Sequence, residues 1–131
     1  MPRLSKWTIR AALVHFVLGI TVGAWMLAAK AGFDEPSALG HRPVHIHFML
    51  FGWLVQLVFG VGYWILPTFG EQRGTTRLAA AAFVALNVGV ILGTAAPWVP
   101  VLGATGWLLE VSAAALFAVH VWPRVKAFGA S

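Results

Sequence analysis

Hydrophobic positions fall into four long runs separated by short polar or proline-bearing stretches. The runs cover about residues 7–29, 44–66, 78–96 and 101–121. Each is close to the ~20 residues that an α-helix needs to cross a hydrocarbon core. Prolines punctuate them. Pro43 suits the first turn of the second helix, Pro67 follows its end, Pro97 stops the third, and Pro100 and Pro123 bracket the fourth. The connections Lys30–Pro43, Pro67–Arg77 and Pro97–Pro100 are short, so successive helices should run antiparallel. The expected fold is all-α: one transmembrane domain, 1–131, built as an up-down-up-down four-helix bundle. The first run, with its basic start and an Ala29-Lys30-Ala31 step, has the outline of a signal peptide. Its apolar stretch is longer than a usual signal core, so it reads as a retained span.

Composition narrows the chemistry. Of 131 residues, 60% are hydrophobic and 10% charged, far from the balance of a water-soluble globule. There is no cysteine, which excludes disulfides, thiolate metal sites and thiol catalysis. The net charge of +5 follows from the distribution of Lys and Arg. Arg3, Lys6, Arg10, Arg73, Arg77, Arg124 and Lys126 fall on one side of the spans, Lys30 and Arg42 on the other. By the positive-inside rule both termini are expected in the cytoplasm, in a bacterial-type inner membrane. The lipid bilayer, and not nucleic acid, is the partner implied.

In lipid, polar residues carry the information. His15, Gln56, Asn87 and Glu110 each lie near the middle of a run, suggesting a shared polar layer. His15 shares its helical side with Thr8, Ala12 and Gly19; Glu110 shares its side with Gly103, Gly106 and Ala113. Faces of small residues pack closely, so both polar groups should point inward. Glu110 is expected to be protonated, or paired with His15 or a water. Gln56 and Asn87 read as interhelical hydrogen-bond partners.

Three of the five histidines crowd into His41-Arg42-Pro43-Val44-His45-Ile46-His47, where the second helix enters from the outer side. Imidazole is a ligand for haem iron and copper. On a regular helix His45 and His47 diverge by about 200° and serve opposite sides. His45 would share an inward face with Met49, Gly52, Gln56 and Tyr63. His47 would share an apolar face with Phe51, Leu54, Val58, Val61 and Ile65, suited to lipid, a neighbouring copy or a porphyrin. Two axial ligands of one iron lie ~4 Å apart. With helix 2 starting at Val44, His47 is about 4–5 Å from the outer end and His15 about 21 Å. Those two should not share an iron; paired ligation would join equal-depth histidines of neighbouring copies, or His45 or His47 with His41.

The segment His45-Ile46-His47-Phe48-Met49-Leu50-Phe51-Gly52-Trp53, continuing to Phe59-Gly60-Val61-Gly62-Tyr63-Trp64-Ile65-Leu66-Pro67, resembles the histidine-x-histidine helix of the haem-copper oxidase catalytic subunit. The resemblance covers residues 41–70. That subunit is described as three sets of four helices, so this chain is similar to one four-helix unit. The resemblance implies haem b, with copper as a further candidate, held by His41, His45 and His47. Met49, Gly52 and Arg42 would lie beside the cofactor, Arg42 pairing its propionates. It implies a cytochrome-like oxidoreductase function in electron transfer or in binding O2 or NO, a redox partner, and a homo-oligomer, a trimer by analogy or a dimer. The chain lacks a His-His pair and a His-Pro-Glu-x-Tyr segment, so full oxygen reduction by it alone is not implied. Two other classes stay open: a small proton-coupled transporter or channel using Glu110, and a non-catalytic accessory subunit.

Overall fold

A computed structural model of the chain describes residues 1–33, 35–68 and 76–125. Arg73 and Lys126, counted above among the cytoplasmic charges, lie outside the described residues. Four helical segments are long and apolar enough to cross a membrane: α1 (Arg3–Lys30), α2 (Pro36–Ile65), α3 (Thr76–Thr94) and α4 (Pro100–Arg124). Their flanks expose leucine, valine and isoleucine, as expected for surfaces solvated by lipid.

Helix 2 departs most from expectation. It begins at Pro36 instead of Val44, opening with 3-10 turns (Pro36–His41) and one α-helical turn (Arg42–Ile46). Pro36 stands in the first turn of this composite helix, and Pro43 in the first turn of its α-helical part, as expected. From His47 to Val55 the backbone is π-helical, with wider turns closed by i→i+5 bonds, before α-helix resumes over Gln56–Ile65. A sequence read at 3.6 residues per turn therefore loses phase within this segment.

Contacts between successive helices run in opposite senses. On α1 and α2, Gly23 meets His45, Gly19 meets Met49, and Gly52 meets His15. Further along, Gly60 meets Ile9 and the Ser5 hydroxyl donates to the Gly60 carbonyl. On α3 and α4, Gly103 approaches Ala96, Gly106 approaches Gly93, and Gly89 approaches Glu110. Small residues at each crossing let the backbones come close, which is how helices associate where lipid offers no hydrophobic drive. An apolar cluster of Phe59, Tyr63, Ala79, Ala82, Leu86, Ala113 and Phe117 joins α2, α3 and α4, its centre the stacked rings of Phe59 and Phe117, 4.1 Å apart.

Candidate functional site

His47 and Glu110 form a close, buried side-chain pair between the apolar helices. The imidazole Nδ1 and the carboxyl Oε1 are 2.6 Å apart, and both side chains are completely buried. Glycines make the space. The His47 ring lies so close over Gly93 that a Cβ there would overlap it, and a Cβ on Gly89 would come within 2.9 Å of the Glu110 Cγ. Trp107 closes one side of the ring at 4.8 Å between centroids, and Phe51 stands at 6.0 Å. Two buried atoms are left without a hydrogen-bond partner, His47 Nε2 and Glu110 Oε2.

This arrangement corrects two expectations. Glu110 is partnered by His47, not by His15. His47 also faces the protein interior, while Leu54, Val58 and Ile65, its companions on a regular helix, are exposed. Both differences come from helix 2. Its early start puts His47 about three turns in, level with Glu110, which is about three turns into α4. The π-helical turns then rotate the downstream residues relative to His47. The early start also narrows the depth gap between His15 and His47: His15 lies level with Gly52, five residues beyond His47, with its ring stacked on Phe48 at 5.7 Å. The two histidines still lie apart, because His15 sits on the α1 seam while His47 packs against α3 and α4.

His45 and His15 cross the α1–α2 seam reciprocally. His45 Nδ1 donates to the Gly19 carbonyl at 2.8 Å, and His15 Nδ1 donates to the Gly52 carbonyl at 3.1 Å. A carbonyl can only accept, so each ring carries its hydrogen on Nδ1 and keeps a lone pair on Nε2 in its neutral form. His41 is held between Trp25 and Trp98, with ring centroids at 4.7 and 5.5 Å, and its Nδ1 is buried without a partner. Met49 packs on α1 at Gly19, and Arg42 is exposed just after the opening 3-10 turns of the helix. The three clustered histidines thus have three separate surroundings. Among the described residues no three of His, Cys, Asp or Glu converge as a metal site.

The anticipated polar layer is divided in two. Gln56 Nε2 donates to the Asn87 Oδ1 and to the Thr8 carbonyl, both at 3.3 Å, and Gln56 follows by one turn the Gly52 whose carbonyl takes the His15 ring. Glu110 belongs to the other group, with His47. A third polar node is Arg124, counted above only among the positive charges of the cytoplasmic side. Its guanidinium is buried and donates to the carbonyls of Pro67, Leu66 and Tyr63 at 2.9, 2.7 and 3.2 Å, and to His120 Nε2 at 3.1 Å. It caps the C-terminal carbonyls of α2. Its signal in the sequence is an arginine four residues after His120, one position beyond Pro123.

At the level of donor atoms the histidines fit a metal or haem iron. Metal-binding imidazoles usually spend the second nitrogen on a carbonyl or carboxylate, which fixes the tautomer and orients the ring. His45 meets that condition through Gly19 and His47 through Glu110. His45 is half-buried and reachable from the surface, whereas His47 Nε2 is enclosed by protein. No protein-family model, curated protein or solved structure matches the chain.

Proposed function

We propose that the chain is a multi-pass protein of a bacterial-type inner membrane that binds haem b through His45 and His47. In this reading it is an up-down-up-down bundle with both termini cytoplasmic, resembling one four-helix unit of the haem-copper oxidase catalytic subunit. The carrying observation is that the Gly19 carbonyl fixes His45 Nδ1 as a donor, leaving its Nε2 to serve a ligand, while two residues on His47 Nδ1 is engaged by Glu110. Bound haem iron would supply reversible one-electron chemistry or the binding of O2 or NO. The protein's part is orientation. The Gly19 carbonyl aims His45, the Glu110 carboxyl aims His47, and Arg42 supplies a fork for propionates at the outer end. Copper is a further candidate at His41, whose Nδ1 is buried and unpartnered. By the same resemblance the chain works as a homo-oligomer, a trimer or a dimer, with a redox partner.

The test is a visible absorption spectrum and metal analysis of protein purified in mild detergent. A Soret band that disappears in His45→Ala and is lost or altered in His47→Ala supports the reading. A colourless, metal-free protein overturns it. One observation favours a second reading, a proton-coupled transporter: the enclosed His47–Glu110 pair, with an unpartnered polar atom on either side. Proton flux into liposomes that is abolished in Glu110→Gln supports that reading. Absence of both pigment and flux leaves an accessory subunit.

A further inference from the structure

Hydrogen-bond direction around His15 can be read from one side to the other. Asn87 Nδ2 donates to the Phe83 carbonyl at 2.8 Å, which turns Asn87 Oδ1 towards Gln56. Gln56 is fully buried, and its Nε2 donates at 3.3 Å to that Oδ1 and at 3.3 Å to the Thr8 carbonyl. Reversing the Gln56 amide would set its oxygen against two acceptors, so the orientation is fixed. Gln56 Oε1 is thereby left buried with no donor, on a side chain one turn beyond the Gly52 that His15 bonds and reaching Thr8, two turns from His15 on the same face of α1. On the other side, the ring's Nδ1–H is already committed to the Gly52 carbonyl. Neutral His15 therefore offers a lone pair at Nε2 to surroundings that hold an unsatisfied acceptor. A second proton would turn Nε2 into a donor and satisfy Gln56 Oε1, so that both ring nitrogens donate.

We infer that His15 is a proton-binding site in the interior of the membrane, built to hold the imidazolium between the Gly52 carbonyl and the Gln56 amide oxygen. The proton comes from hydronium in the aqueous phase at the N-terminal end of α1. The buried hydroxyls of Thr8 and Ser5 lie between that phase and the ring. The only bond formed is Nε2–H. This inference does not depend on the haem reading. Charged and titratable groups on the elements around His15 are few. On α1 itself Arg10 is exposed. On α2, His45 is engaged by Gly19 and His47 by Glu110 of α4. Asn87 of α3 is neutral.

Imidazole 15N spectra of the full chain in lipid nanodiscs test this, with His15→Gln identifying the resonances. As the pH is lowered, His15 Nδ1 should stay protonated while Nε2 changes from a lone pair to N–H. In Gln56→Leu the second proton should bind roughly tenfold or more weakly, the loss of one hydrogen bond to a charged group. In Gln56→Glu it should bind more tightly. An Nε2 signal that never changes with pH in the wild-type chain overturns the inference, as does a lone pair on Nδ1 or an unaltered titration in Gln56→Leu.

Discussion

At the scale of single residues, close approach governs the interior. Gly93 lets the His47 ring reach the α3 backbone, so Gly93→Ala should overpack the site and cost about 1–3 kcal/mol. The seven tryptophans allow that loss to be followed by intrinsic fluorescence during thermal unfolding in detergent. His47 and Glu110 should behave as a unit. Removing either alone strands a buried polar partner, at about 3–5 kcal/mol. The double variant His47→Leu/Glu110→Leu should cost clearly less than the two single losses added together, and a double-mutant cycle measures the difference. Much of this scale was legible in the sequence. The 3.6-residue period turned His15 and Glu110 inward with Thr8, Ala12, Gly106 and Ala113, all of which are buried. The partner of Glu110 was not legible, because it depended on where helix 2 starts and on how its turns widen. The spacing of Gly89 and Gly93 is a small-xxx-small signal for close helix packing, which the sequence reading passed over.

At the scale of elements, helix 2 is composite and its two ends are held differently. At its start, His41 is clasped by Trp25 of α1 and by Trp98 in the turn between α3 and α4. At its finish, Arg124 takes three carbonyls. Arg124→Ala should therefore fray the last turn of α2, at about 1–3 kcal/mol for polar groups left without donors. Hydrogen exchange should rise at the amides around Ile65 and Leu66 and stay unchanged near Gln56. Arg124→Lys should restore little, since an ammonium lacks the planar fork that reaches several carbonyls together. The existence of four apolar helices was plain from hydrophobic run lengths. The π-helical segment was not, because residue types in His47–Val55 suit α-helix equally well, and tertiary contacts decide between the two geometries.

At the scale of the whole molecule, the orientation proposed from charge can be checked directly because the chain has no cysteine of its own. An impermeant maleimide should label Gly32→Cys in intact cells and should label Arg3→Cys only after the membrane is opened. The opposite pattern would reverse the bundle and move the clustered histidines to the cytoplasmic side. The packing also has a grain. α1 is matched to α2, and α3 to α4, through tight glycine crossings. Between these two pairs the His47 ring over Gly93 and the apolar cluster around Phe59 and Phe117 are joined by directional links: His47 to Glu110, Gln56 to Asn87, and Arg124 to the end of α2. Directional bonds of this kind can recognise a counterpart without a covalent tether. A gene split between the codons for Thr68 and Thr76 should thus yield two fragments that insert independently and find one another in the bilayer. Affinity capture of the first fragment should recover the second, and Glu110→Leu should weaken that recovery.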